Sequence, residues 1–397
     1  MASEADVRAN PVMSKLPAAA LLLGAALTLS GCSWFSGWFG SSKPAAKPAE
    51  LVEFKASAAL TRSWEANVGA AGPYIFSPAT DGQAVYVAGR EGRILKLDLA
   101  SGRELWRAEA GQTLSGGVGV GEGLVLVGTP KGELLAYKAA DGGQAWTAKL
   151  SGEILMPAEA GAGAVAARSN DGKVYLLEAA TGKVRWTYSR ALPTLILRGQ
   201  SHLALTDQAL YAGHAGGRLT ALALNNGAPL WEASVALPKG ATELERISDV
   251  TGPLALDDRN VCAAAYQGRV ACFDRVSGNS RWNRDLSSLG GVDMDGRFVY
   301  AVDDRDAVTL FEKARGTNPW KQDKLRDRKL SSPVAVADKY VAVGDYQGYV
   351  HLINAEDGSF AARAATDGGA IRGVMLRLKS GLVAQTASGG VYALRIQ

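Results

Sequence analysis

The chain of 397 residues predicts an all-β fold, an eight-bladed β-propeller with four antiparallel strands per blade. Three observations carry this. A tryptophan follows a turn glycine by four residues six times, at Gly102/Trp106, Gly142/Trp146, Gly182/Trp186, Gly227/Trp231, Gly278/Trp282 and Gly316/Trp320. The tryptophans are 40, 40, 45, 51 and 38 residues apart, the period of a repeat architecture. A hairpin turn stands fourteen residues before each of them, and a further tryptophan strand with no hairpin of its own lies near the start.

The hairpins fix the count. Their second strands read EGRILKLDL, KGELLAYKA, DGKVYLLEA, GGRLTALAL, QGRVACFDR, RDAVTLFEK, QGYVHLINA and SGGVYALRIQ, from Glu91, Lys131, Asp171, Gly216, Gln267, Arg305, Gln347 and Ser388. Seven carry glycine at the turn (Gly92, Gly132, Gly172, Gly217, Gly268, Gly348, Gly389) and one carries Asp306. Tight hairpins need positive φ, which glycine adopts without strain. Each strand alternates apolar and polar residues or is wholly apolar, the mark of half-buried or buried strands.

The ring closes through its ends. Fourteen residues past Gly389 would be position 403, beyond Gln397, so the last blade lacks its tryptophan strand. Arg62–Val68, with Trp64, is the orphan strand that supplies it. Closure of this kind leaves no open sheet edge between first and last blades. In the seventh blade Ala362 stands where tryptophan is expected, and Phe360, two residues earlier on the same strand face, is the candidate to fill its volume.

The start reads as an export signal over residues 1–31, with Met13 the expected initiator because Glu4 and Asp6 do not suit a signal's basic region. Lys15 precedes the apolar run Ala18–Leu29, which is too short to span a bilayer. Leu29-Ser30-Gly31-Cys32 is a lipobox, making Cys32 the expected lipidation site, with acyl chains such as palmitate. Two or three chains hold firmly at about 0.8 kcal/mol per buried CH₂. Ser33 follows the cysteine where an aspartate would signal inner-membrane retention, and the resemblance to sorted lipoproteins implies the outer membrane, with the propeller expected in the periplasm. Residues 32–60, rich in Ser, Gly, Ala, Lys and Pro, read as a flexible tether, with Trp34, Phe35, Trp38 and Phe39 beside the anchor suited to the lipid interface. The propeller then spans 61–397.

Little of the sequence carries chemistry. Removing residues 1–31 takes two basic and two acidic residues and leaves a net charge of +4, with no basic block, so nucleic acid is not an expected partner. His202, His214 and His351 fall at no metal-ligand spacing, and no GxSxG or Walker A motif occurs; no catalytic residue, metal or cofactor is expected. Cys262 and Cys272 flank the hairpin at Gln267-Gly268. A two-residue turn pairs residues whose numbers sum to 535, and theirs sum to 534, so two buried free thiols are expected over a disulfide.

Function is expected where the period stretches. The long gap after Trp186 contains Ser189–Gly199, with Leu195, Leu197 and Arg198; the gap after Trp231 contains Leu237–Val250, with Asp249. Both lie between adjacent blades and project side by side, an apolar centre with charged neighbours. The run Thr194–Leu197 reads equally as a binding patch or as the inner strand of a blade.

The lipobox, the tether and the eight blades, six of them carrying Gly-x-x-x-Trp, together with LILRGQS at Leu195, TELERISDV at Thr242 and VGDYQGYVHLINAEDG at Val343, resemble the BamB family. These are propeller lipoproteins of the outer-membrane β-barrel assembly (BAM) machinery. The resemblance implies a non-enzymatic scaffold that binds the POTRA domains of the barrel-forming subunit BamA, works beside the other BAM subunits, and helps deliver unfolded barrel precursors. Carried over residue by residue, it makes Leu195, Leu197, Arg198 and Asp249 the partner contacts; a second family aspartate is matched here by Thr251. Pyrroloquinoline quinone dehydrogenases share the tryptophan repeat but are longer and carry adjacent paired cysteines, which this chain lacks. A generic envelope scaffold is the third reading, opposed only by the two long loops.

Overall fold

A computed structural model describes residues 47–198 and 201–397. The signal peptide, Cys32 and the aromatic residues beside it lie outside them. Eight sheets of four antiparallel strands follow one another along the chain, and Ile75–Phe76 adds a short parallel strand to the inner edge of the second. Blade 1 holds Ala79–Thr80, Ala84–Ala88, Arg93–Asp98 and Glu104–Glu109; blade 2 begins at Gly116–Gly121, blade 3 at Glu159–Gly161 and blade 4 at Leu203–Leu205. Blades 5, 6 and 7 begin at Val250–Leu256, Val292–Met294 and Val334–Val336. Blade 8 has Leu376–Leu378, Gly381–Gln385 and Gly390–Ile396 from the C-terminal end, and its fourth strand is Leu60–Asn67. That strand runs antiparallel to Gly390–Ile396, from Leu60↔Ile396 to Asn67↔Gly390. The expected ring closure is the observed one.

The repeated tryptophan turns out to be a latch between blades. Each buried or half-buried indole needs an acceptor for its N–H. It finds one in the next blade: Trp64 donates to Leu99 O at 3.0 Å, Trp106 to Ala139 O at 3.0 Å and Trp146 to Ala179 O at 2.8 Å. Trp186, Trp231, Trp282 and Trp320 donate in the same way to Leu224, Arg275, Lys313 and Ala355. Three residues after each acceptor comes the turn glycine, and the indole lies against it. A Cβ on Gly182 would sit 2.5 Å from Trp146 Cε3, and one on Gly227 2.7 Å from Trp186 Cδ2. The glycine therefore serves the tryptophan of the preceding blade, not the one four residues on.

That pairing explains the exception. Blade 7 lacks its tryptophan but keeps Gly358, because Gly358 receives Trp320 from blade 6. Leu60, four residues before Trp64, stands where the other outer strands have glycine, since blade 7 sends no indole to it. Ala58, Leu60 and Ile396 pack instead with Ala361 and Ala362. Phe360 does not fill this junction, contrary to expectation. The strand bulges between its pairings Ile353↔Phe360 and Leu352↔Ala362, which turns the phenylalanine to the other face. There it joins Leu310, Val341 and Ile353 and meets the ring of Phe54 at 5.4 Å.

Two further expectations are corrected. Residues 48–59 are not free tether but run against blade 7. Ala49 N donates to Arg326 O at 2.9 Å, Arg328 Nη1 to Ala49 O at 2.8 Å and Ser57 N to Ala361 O at 3.0 Å, while Leu51, Val52 and Phe54 pack on the core. The composition of SSKPAAKPAE ends just before this apolar stretch, and averaging over it hid the change. Cys262 and Cys272 form a disulfide, with Cα atoms 4.1 Å apart. They are directly opposite, because the hairpin turns about Gln267, at φ +46°, and pairs residues summing to 534. The close approach is that of a non-hydrogen-bonded antiparallel pair.

His351, a strand residue with no metal-ligand spacing in the sequence, is fully buried in a charged network. Its Nε2 lies 3.0 Å from Asp345 Oδ2, which also accepts from Arg328 Nε at 2.8 Å and Nη2 at 2.7 Å. Arg363 Nε donates to His351 Nδ1 at 3.2 Å, so the neutral ring carries its proton on Nε2. This network joins blade 7 to the segment at Ala49.

Candidate protein-binding face

In each blade the turn between second and third strands and the link from outer strand to the next blade open on one face. The described parts of the two long links, 189–198 and 201–202 in the first and 235–249 in the second, lie on this face over blades 3 to 5. Thr194–Leu197 forms no strand, and the inner strand of blade 4 is Leu203–Leu205. The strand reading of that run therefore falls.

Asp249 ties the two links together. Its Oδ2 accepts Leu197 N at 2.6 Å and its Oδ1 accepts Gly216 N at 3.1 Å. Only 4 % of it is exposed, and burial pushes its carboxyl above the ordinary value against the pull of those two amides. It positions the loop and offers no surface of its own. Thr251 is fully buried as well and donates to Ser288 O at 2.6 Å, so it too is structural. Arg198 reaches across to blade 3, where Nη2 lies 2.7 Å from Glu153 Oε1 and 2.8 Å from Oε2. Leu195 is exposed, and Ile196 and Leu197 are half-buried beneath it.

The second link is stiffened by a capping box. Glu245 N donates to Thr242 Oγ1 at 3.3 Å, and Glu245 Oε2 accepts Ala241 N at 2.9 Å and Thr242 N at 3.0 Å. The Gln267 amide faces the carbonyls of Leu244, Glu245 and Ile247 at 3.3, 2.8 and 3.0 Å, with its nitrogen turned towards them. Glu245 is thus spent internally, and Leu244 is left 67 % exposed at the apex.

Exposed large apolar side chains concentrate here. Leu192, Leu195, Leu237 and Leu244 stand on the two links, and Leu289 on the next link round the ring. Leu105, Val184 and Leu230, by contrast, lie on separate outer strands around the circumference. Apolar residues gathered on one face mark an interaction site, while scattered ones are ordinary. Leu192, Leu237 and Leu244 were missed in the sequence, where the stretched period and their place in links was the available signal. Among the described residues no three His, Cys, Asp or Glu side chains gather as metal ligands.

The chain matches the family model described as outer membrane protein assembly factor BamB over residues 56–116, 90–322 and 308–397. It is 47 % identical over 356 residues to the outer membrane protein assembly factor BamB of Pseudomonas aeruginosa, covering 89 % of this chain and 92 % of that one. The crystal structure of BamB from Moraxella catarrhalis superposes with a TM-score of 0.78 at 28 % identity, covering 85 % of this chain and 99 % of that one. The quinohemoprotein alcohol dehydrogenase of Comamonas testosteroni gives a TM-score of 0.67 at 12 % identity, over 85 % of this chain and 76 % of that one, a likeness of fold alone. Eight blades, seven of them sending a tryptophan latch to the next, a ring closed by the N-terminal strand, and matches that run nearly the length of the described chain place this protein in the BamB family of outer membrane protein assembly factors.

Proposed function

We propose that the chain is a non-enzymatic scaffold of the β-barrel assembly machinery. It is anchored to the outer membrane through lipid on Cys32, holds its propeller in the periplasm, and binds the POTRA domains of BamA to assist barrel insertion. The observation that supports this reading is the cluster of exposed leucines on links held rigid by Asp249, Gln267 and the capping box. A pre-ordered apolar patch with a charged rim loses little entropy on docking. Leu195 and Arg198 are the direct contacts in this reading, Leu197 supports Leu195 from below, and Asp249 positions both. The partly exposed Arg198–Glu153 pair contributes about 0–1 kcal/mol internally and sets Arg198 at the charged rim of the patch.

Co-purification with BamA from detergent extracts tests the proposal. Leu195→Glu and Arg198→Glu should each reduce recovery of BamA while leaving the propeller folded. Undiminished recovery in both variants removes the interface.

A further inference from the structure

Beneath the 189–198 link lies a cavity of about 70 Å³, space for a carboxylate and a few waters. Its walls include Leu155, Met156, Leu197 and Val250, and its polar lining includes Arg168 and His214. Arg168 ends the second strand of blade 3, Ala164–Arg168, and His214 ends the second strand of blade 4, Ala209–His214. Arg168 Nε and Nη2 are sealed from solvent with no hydrogen-bond partner, and so is His214 Nε2 on a ring only 6 % exposed.

Among the described residues no carboxylate pairs with Arg168. Asp249, which lines the same cavity, spends its two oxygens on the amides of Leu197 and Gly216. Glu153 is held by Arg198, and Glu232 by Arg190. The guanidinium charge is felt nearby: burial first, and then Arg168, push His202 down to about 4 and His214 down to about 2. Both imidazoles are therefore neutral and can take part only in hydrogen bonds. Arg168 is half-buried as a residue, but two of its three guanidinium nitrogens are sealed and unpaired, which is costly, and structures that keep such a group generally supply an anion.

We propose that this cavity receives an acidic side chain of the docked partner, whose carboxylate pairs with Arg168 and accepts from His214. The inference deepens the reading of this face as the BamA-binding surface and rests on it. Charge complementarity selects the occupant. The cavity is lined by Leu192, Ile196 and Leu197 of the first link, so an aspartate or glutamate flanked by apolar residues would suit it. The pair would be desolvated at the centre of the interface, where a single charged anchor carries much of the affinity.

The test uses the full lipidated chain and full-length BamA in detergent, with two readouts on Arg168→Met and Arg168→Lys. Arg168→Met should raise the Tm of the free chain by a few degrees, because an uncompensated charge leaves the interior. The same variant should bind BamA at least tenfold more weakly, and Arg168→Lys should recover part of the loss. A lower or unchanged Tm for Arg168→Met shows that Arg168 is internally satisfied and overturns the proposal. Equal BamA affinity for parent and Arg168→Met also overturns it. If the parent chain itself fails to bind BamA, the partner assignment falls and this proposal with it, an outcome distinct from the first two.

Discussion

The indole–glycine latch makes a quantitative prediction through two glycines with the same backbone. Gly182 has φ +70° and lies against Trp146, where a Cβ would approach Cε3 to 2.5 Å and Cδ2 to 2.6 Å. Gly163 has φ +69° and nothing within 4 Å of the place its Cβ would take. Alanine at either position adopts the left-handed region at about 1–2 kcal/mol. Gly182→Ala must in addition push the indole away from its acceptor Ala179 O, an overpacking cost of about 1–3 kcal/mol. Gly182→Ala should thus destabilise by about 2–5 kcal/mol and Gly163→Ala by about 1–2 kcal/mol. In urea, with a slope of about 3 kcal/mol/M, the two midpoints should differ by about 0.3–1 M. In a Trp146→Ala background the clash is gone, so the excess cost of Gly182→Ala should vanish. Equal midpoints for the two alanine variants would refute the claim that the glycine exists to receive the neighbouring indole.

Other expectations follow from single groups. Asp249→Ala leaves the amides of Leu197 and Gly216 without their acceptor, at about 1–3 kcal/mol each, and should weaken BamA binding although Asp249 is buried; unchanged binding would separate loop order from recognition. Reduction or Cys262→Ser with Cys272→Ser opens a ten-residue loop and should lower stability by about 2–3 kcal/mol, measured by denaturant unfolding, with intact mass confirming the bridge in the parent. Burial raises Glu159 from its ordinary 4.5 to about 7, so the folded state favours its protonated form. That contribution is fully present below about pH 4.5 and is lost as pH rises through about 7. Glu159→Gln should therefore be more stable than the parent at pH 8 and not at pH 4; a gain of equal size at both would show that the carboxyl does not titrate as stated.

What could be read beforehand follows a physical division. The blade count and the ring closure were legible because one local requirement, an indole beside a turn glycine, occurs at seven of the eight blade junctions. Which indole each glycine serves was not legible, since Gly182 is nearer in sequence to Trp186 than to Trp146. The cysteine register failed by one residue because Gln267, not glycine, adopts positive φ in that turn. Phe360 was placed on the wrong face because an outer-strand bulge breaks the two-residue alternation. Of the candidate contacts, Leu195 and Arg198 are exposed as a binding role requires, while Asp249 is buried and acts through the loop. Arg168 gave no sequence signal. Its meaning arises only when blades 3 and 4 bring it beside His214 with no carboxylate paired to it.

The central claim is that one face of the propeller, over blades 3 to 5, meets BamA. Site-specific photo-crosslinking in intact cells tests it most directly, with the probe at Leu195, at Leu244, and at Val276. Val276 is 77 % exposed on a turn between third and outer strands, which opens on the opposite face. Crosslinks to BamA from Leu195 and Leu244 and none from Val276 are the predicted result. BamA captured from Val276, with both leucine positions silent, would contradict the account.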